Sequence, residues 1–145
     1  TISTMESATG GFIANAITNV EGASEVFSFG ATTYSNFYKI KFGVSEEVIK
    51  KYSVYSMEVA HEMSSSIANY TGSRYGIGIT GKFNREDRFN HFGDNRVVYI
   101  SVYDKILDIY VDKVLTVTDK SREKNKENVL YWVINLLKEI LKEEE

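Results

Sequence analysis

The sequence lacks cysteine and proline altogether and contains only two histidines among its 145 residues. Without cysteine, a disulfide scaffold, a cysteine nucleophile and a thiolate metal site are all excluded. This composition fits a reducing compartment, and we expect a cytoplasmic protein. The length suits one domain that buries a sizeable core without cross-links or a structural metal.

Long apolar runs are also missing. No segment approaches the ~18 apolar residues of a membrane-spanning helix, and no signal peptide is recognisable. The formal net charge of −3 gives no reason to expect a nucleic-acid partner. We therefore expect neither membrane nor nucleic-acid binding. The sequence begins at Thr1 rather than at a methionine, which fits a fragment or a processed chain.

The two histidines, His61 and His91, do not form a recognisable metal or catalytic motif. His61 begins the segment HEMSS, which departs from the HExxH zinc pattern at its last position. A Ser-His-Asp triad stays possible, but no GxSxG segment supports it. Neither a metal nor a cofactor is expected.

Hydrophobic periodicity predicts strands that alternate with helices early in the chain and a strand hairpin later. Helices are predicted over residues 9–19, 45–52, 57–70 and 122–143, and strands over 1–5, 26–34, 74–80, 96–103 and 106–117. This order predicts a single α/β domain, a three-layer α/β/α sandwich with a mixed sheet.

The segment TMESATGG, residues 4–11, places polar and small residues between the first strand and the first helix. Ser7 is a candidate nucleophile there, because its small neighbours let a substrate approach the backbone and the helix N-terminus offers N–H groups to an anion. With so few histidines, a lysine is the more plausible base. The alternative is a tight connection in which Thr9 caps the helix.

The segment TTYSNFYKIKFGVSEE, residues 32–47, is the second candidate. Tyr34 ends a predicted strand, and Lys39 follows five residues later. Ligand sites gather at strand ends in α/β sheets. The alternative is a half-buried tyrosine and a surface lysine.

Both segments resemble the C-terminal domain of the CinA (competence/damage-inducible) family. Its hallmarks are Glu-Ser-x-Thr-Gly-Gly, Gly-Ala-Ser, Tyr-Ser-Asn-x-x-Lys and Gly-Val-Ser, all present in order in ESATGGFIANAITNVEGASEVFSFGATTYSNFYKIKFGVSEE. SMEVAHEM and GIGITG resemble two further family segments. The resemblance extends through most of residues 1–145, which we assign to one CinA C-terminal-like domain. Family members carry a helix before the first strand, and we expect that this sequence lacks it.

The resemblance implies an amidohydrolase that converts nicotinamide mononucleotide to nicotinic acid mononucleotide and ammonia. Its nucleophile falls on Ser7, its lysine on Lys39 and its tyrosine on Tyr34. The residues implied in substrate binding are Glu6, Thr9, Gly10, Gly11, Asn36, Thr80 and Gly81. Glu6 could hydrogen-bond across the site, orient the lysine or brace the turn. Relatives also imply a homo-oligomer, a dimer or larger. Trp132 and the aromatic residues of segment 83–92 are candidate interface residues, although core packing is the simpler role of Trp132.

The resemblance breaks after Gly81, where the family continues with a Gly-Pro loop and this chain reads KFNREDRFNHFGDNR, residues 82–96. Cations there could replace backbone donors and hold a phosphate; the candidates are Lys82, Arg85, Arg88 and Arg96. The alternative function is a catalytically inactive or repurposed member that binds another nucleotide or a protein partner. Similarly, TDK at 118–120 stands where the family has Gly-Asp-Arg.

Overall fold

The computed structural model describes residues 1–85, 95–118 and 121–142. Strands and helices alternate in its first half. In chain order, the elements are β1 (Ile2–Glu6), α1 (Phe12–Thr18), a 3₁₀ turn (Ala23–Glu25), β2 (Phe27–Thr32), α2 (Asn36–Lys41), α3 (Glu46–Tyr52), α4 (Met57–Thr71), β3 (Tyr75–Gly81), β4 (Val97–Asp104), β5 (Ile109–Thr116) and α5 (Arg122–Lys142).

The strands form one mixed sheet in the order β2-β1-β3-β4-β5. Strand β1 runs parallel to both β2 and β3, whereas β3, β4 and β5 are joined by antiparallel pairing. Glu6, the last residue of β1, lies opposite Thr32 and Ile79. The predicted mixed sheet is confirmed. Its three parallel strands present their carboxyl ends at one edge.

Helices cover both faces of the sheet and give two apolar clusters. Met5 of β1 packs with the α4 side chains Val59, Met63 and Ile67 on one face. On the other face, α1 packs on β1 and β2, and α5 packs on β4 and β5. The cluster there includes Ile13, Ile77, Ile79, Val98, Ile100, Val129, Val133 and Ile140. The predicted three-layer α/β/α arrangement is therefore confirmed. Among the described helices, none combines the length and apolar character that crossing a bilayer requires.

Two glycines of β3 let α4 approach the sheet closely. A Cβ atom on Gly76 would lie 2.0 Å from the main-chain oxygen of Ser64, and one on Gly78 would lie 2.4 Å from that of Ala60. Ser64 Oγ in turn donates to Ser101 Oγ of β4 at 3.2 Å. These contacts hold α4 close against strands β3 and β4.

Serine side chains cap the N-termini of α3 and α4. Ser45 Oγ accepts from the N–H of Val48, and Ser56 Oγ accepts from that of Val59. The predicted Thr9 cap is wrong, because Gly11 occupies the N-cap position of α1 and the helix begins at Phe12 rather than at residue 9.

Two further boundaries and one additional helix differ from the sequence prediction. Strand β5 begins at Ile109 rather than at 106, because the Asp104 carboxylate accepts the N–H groups of Ile106 and Leu107 and holds a turn. Strand β2 ends at Thr32, so Tyr34 lies outside it. The short helix α2 was not predicted, because six residues are too few to show a helical period.

A buried ion pair closes the sheet at the end opposite the carboxyl-end edge. Arg74 Nε and Nη2 donate to the two carboxylate oxygens of Asp104 at 3.1 and 3.0 Å, and Asp104 is fully buried. Burial opposes ionisation of Asp104, but the hydrogen bonds from Arg74 and from the backbone outweigh it, so the pKa of Asp104 is lowered. The ionised form therefore stabilises the fold.

Arg74→Met tests this pair. At pH 7 we expect the free energy of unfolding to fall by about 3 kcal/mol, because a buried carboxylate loses its partner. Since the folded-state pKa of Asp104 is depressed, its contribution is present above the unfolded value of about 4 and is lost as pH falls through the folded-state pKa. Urea unfolding at pH 7 and at about pH 3 should show the deficit shrinking in acid.

The matched control is Lys50→Met. Lys50 forms an exposed pair with Glu46 at 3.5 Å, and such pairs contribute little. Two results would contradict a stabilising role for the ion pair between Arg74 and Asp104. One is a loss of unfolding free energy in Arg74→Met that is equal at both pH values, and the other is a loss no larger than that of Lys50→Met.

Candidate active site

The side chains of Ser7 and Lys39 meet at the carboxyl-end edge of the sheet. Ser7 follows β1 directly, and Lys39 lies on α2, which follows the neighbouring parallel strand β2. Lys39 Nζ lies 2.9 Å from Ser7 Oγ and donates to the main-chain oxygen of Thr33 at 2.7 Å. Ser7 is 9% exposed and Lys39 is 2% exposed. A buried amine in contact with a serine hydroxyl can exchange a proton with it.

Local hydrogen bonds place Lys39 at this distance. The N–H of Thr33 donates to the Glu6 main-chain oxygen at 2.8 Å, which continues the pairing of the two strands past the end of β2. Ser35 Oγ then accepts from the N–H of Tyr38 and begins α2. The helix therefore starts three residues after Thr33, whose carbonyl Lys39 contacts. Thr33 was missed in the sequence, and its buried hydroxyl has no hydrogen-bond partner among the described residues.

The Glu6 carboxylate braces the turn beneath Ser7. It is 1% exposed and accepts hydrogen bonds from Thr9 Oγ1 at 2.6 Å, from the Ile13 N–H at 2.9 Å and from the Ala14 N–H at 3.0 Å. Of the three roles considered for Glu6, these contacts favour the brace. They also correct the expectation that the first turn of α1 offers free N–H groups, because Glu6 already uses those of Ile13 and Ala14.

Two glycines with positive φ determine the backbone conformation of the turn after Ser7. Gly10 has φ +60° and Gly11 has φ +98°, values that residues with a side chain rarely adopt. The Gly10 N–H donates to the Ser7 main-chain oxygen at 3.0 Å. Within the part of the chain that the structure describes, the N–H groups of Ala8 and Thr9 have no acceptor. They are the nearest donors in sequence to the Ser7 hydroxyl.

Tyr34 carries an exposed side chain that contacts α5. Its side chain is 64% exposed, and its hydroxyl accepts a hydrogen bond from Arg122 Nη2 at 3.3 Å. The Arg122 guanidinium also lies 5.5 Å from the centre of the Phe83 ring. Arg122, in the first turn of α5, was missed because the contact joins residues 88 positions apart.

The remaining predicted site residues occupy the same edge with different contacts. Asn36 is the first residue of α2. The buried Thr80 hydroxyl donates to the Val54 main-chain oxygen at 2.9 Å. A Cβ on Gly81 would lie 2.5 Å from the Val98 Cα, so this glycine permits close packing on β4. His91, Arg88 and the end of the TDK segment lie outside the described residues.

Comparison with known proteins identifies the same family across nearly the whole chain. The profile of the CinA C-terminal domain matches residues 1–141. A CinA-like protein of Kosmotoga olearia is 49% identical over 82 residues, and a protein of Clostridium perfringens is 48% identical over the same length. These matches span 56% of this chain and 20% of each relative's length.

Solved structures show the same fold at lower identity. A CinA superfamily protein from Klebsiella pneumoniae superposes with a TM-score of 0.88 at 22% identity, covering 98% of this chain and 87% of that one. A CinA superfamily protein from Escherichia coli superposes with a TM-score of 0.86 at 23% identity. That match covers 96% of this chain and 79% of the other. These similarities extend over the described sheet and its helices.

Proposed function

The chain belongs to the CinA C-terminal domain family, and from that premise we propose that it deamidates nicotinamide mononucleotide by a serine–lysine mechanism. The products are nicotinic acid mononucleotide and ammonia. One observation carries the proposal: the buried Lys39 amine lies 2.9 Å from the Ser7 hydroxyl at the carboxyl-end edge of the sheet. The identity of the substrate follows from the resemblance in the sequence.

The first half of the reaction forms an acyl-enzyme. Ser7 Oγ attacks the carboxamide carbon while the neutral Lys39 amine accepts the hydroxyl proton. Desolvation favours the neutral form of a buried amine. The Thr33 carbonyl accepts one N–H of Lys39 and so helps to hold the amine against Ser7. The Ala8 and Thr9 N–H groups are the candidate donors to the tetrahedral oxyanion, and one such donor contributes about 3–4 kcal/mol to the barrier.

The second half releases the products. Lys39 returns its proton to the carboxamide nitrogen, the C–N bond breaks, and ammonia leaves. Water then attacks the Ser7 ester, with Lys39 again accepting a proton and returning it to Ser7 Oγ as the acid departs. Each proton taken up by Lys39 is returned, so the enzyme ends the cycle unchanged.

The other residues have supporting roles in this proposal. Glu6 and Thr9 hold the turn that carries the nucleophile. The catalytic role of Tyr34, in which it orients Ser7 and Lys39 or donates a hydrogen bond, stays a prediction. Substrate contacts by Gly10, Gly11, Asn36, Thr80 and Gly81 stay predictions, as do the homo-oligomer and the cytoplasmic location.

Ser7→Ala tests the proposal directly. The wild-type chain should release one ammonia for each nicotinic acid mononucleotide formed, whereas Ser7→Ala should be inactive within the limit of detection and should still fold. Ser28→Ala, at an exposed position of β2, is the matched control and should retain full turnover. Undiminished turnover in Ser7→Ala, or a wild-type chain that releases no ammonia from this substrate, would overturn the proposal.

A further inference from the structure

Lys82 is a second buried lysine at the carboxyl-end edge of the sheet, and the amidase mechanism does not use it. It follows β3 directly and is 4% exposed. Its amine donates to Asn95 Oδ1 at 3.3 Å and lies 4.7 Å from the centre of the Tyr55 ring. Both partners are uncharged. Within residues 1–85, 95–118 and 121–142, no carboxylate pairs with this cation.

The strand register places Lys82 near Ser7. The Ser7 N–H donates to the Ile79 main-chain oxygen at 3.0 Å, which sets Ser7 level with Thr80 across the parallel pair. Lys82 is two residues further along. At a rise of about 3.3 Å per residue and a strand spacing of about 4.8 Å, the Cα atoms of Ser7 and Lys82 are about 8 Å apart.

Side-chain alternation places Lys82 and Ser7 on the same face of the sheet. Met5 packs in the apolar cluster that contains Val54, and Ser7 is two residues beyond it. Thr80, two residues before Lys82, donates to the Val54 main-chain oxygen on that face. Lys82 is therefore a neighbour of the Ser7–Lys39 pair on the α4 side of the sheet.

A buried ammonium beside neutral partners is well suited to an anionic ligand. Burial of a charge is unfavourable unless an opposite charge compensates it. An amide oxygen and an aromatic ring stabilise a cation only in part. A phosphomonoester would supply the missing charge, and its oxygens accept hydrogen bonds from an ammonium. The distance between Lys82 and Ser7 suits a ligand whose amide group and phosphate lie at opposite ends of the molecule.

We propose that Lys82 binds the phosphate of the substrate and sets the preference of this site for a nucleotide over the corresponding nucleoside. The inference rests on the proposed function for the identity of the ligand. In this role Lys82 is a specificity residue, and the bond-breaking steps belong to Ser7 and Lys39. Lys82→Met should therefore raise the KM for the phosphorylated substrate and leave the unphosphorylated one unaffected.

The kinetic test compares nicotinamide mononucleotide with nicotinamide riboside, which lacks the phosphate. Lys82→Met should reduce kcat/KM for the mononucleotide by about 10–100-fold, the effect of losing one charge-assisted hydrogen bond, and leave kcat/KM for the riboside within twofold of wild type. Lys82→Arg should retain most of the preference. Lys105→Met, at an exposed lysine in the β4–β5 turn, is the control. Equal losses for both substrates would overturn the assignment.

A binding measurement decides the inference independently of turnover. Titration calorimetry with inorganic phosphate should show binding to the wild-type chain and to Lys105→Met, and weaker or no binding to Lys82→Met. If the wild-type chain binds phosphate through Lys82 but releases no ammonia, the proposed function fails and the anion site stands. If Lys82→Met binds phosphate as tightly as wild type, the anion site fails. Lys82→Gln provides a second neutral variant should Lys82→Met not fold.

Discussion

Lys39→Met is expected to lower kcat for deamidation of nicotinamide mononucleotide by about 10⁴-fold or more, the usual effect of removing one member of a nucleophile–base pair. Ser7 would then lose the group that accepts its proton. The fold should survive, because methionine fills a similar volume and an apolar replacement removes a buried polar amine. Single-turnover kinetics and thermal unfolding of the same preparation would measure both effects.

Lys41→Met is the matched control for this variant. Lys41 lies on the same helix two residues further on, with its amine 5.6 Å from the centre of the Phe37 ring rather than on Ser7. It should retain wild-type kcat. Rescue of Lys39→Ala by a small primary amine added to the assay would identify the lost group as a base. Activity of Lys39→Met equal to that of Lys41→Met would refute the role of Lys39.

Glu6→Ala is expected to have the largest effect on stability, lowering the free energy of unfolding by about 4 kcal/mol. The change leaves the Thr9 hydroxyl and the N–H groups of Ile13 and Ala14 without their acceptor in a buried setting. Glu6→Gln should lose less, because its amide oxygen still accepts one of these bonds. Chemical unfolding followed by circular dichroism would measure the difference.

Glu21→Ala controls for the removal of a carboxylate, since Glu21 is exposed. Its midpoint of unfolding should match that of wild type. In folded Glu6→Ala, kcat should also fall, because the turn that holds Ser7 loses its brace. Wild-type stability in Glu6→Ala would show that the three hydrogen bonds do not hold the turn.

Hydrophobic periodicity was sufficient to predict the longer elements. Helix α4 shows an apolar stripe of Val59, Met63 and Ile67, and all three side chains are fully buried. Strands β3 and β4 are buried along most of their length because they lie inside the sheet, between other strands. The mixed sheet then follows from the order of the elements, because helical crossovers connect the parallel strands, whereas no helix lies between the predicted strands that became β3, β4 and β5.

Hydrophobic periodicity predicts much less about the candidate site than about the fold. Without the family resemblance, the sequence gives no reason to choose Lys39 over Lys41, two positions further on. The geometry of the unpredicted helix α2 buries Lys39 against Ser7. The Glu6 brace depends on where α1 begins, which the sequence placed three residues too early. The contact between Tyr34 and Arg122 depends on the docking of α5, which no local pattern records.

The position of β2 at the border of the sheet has a consequence for how the protein loses activity. Strand β2 is hydrogen-bonded only to β1 within the described sheet, and most of its residues are exposed. Elements with few buried contacts open locally at a lower free energy than the whole domain. Detachment of β2 would carry Thr33 and Lys39 away from Ser7 while the central strands stay paired. Heat or mild denaturant should therefore inactivate the proposed enzyme before it unfolds, and amide hydrogens of β2 should exchange faster than those of β3.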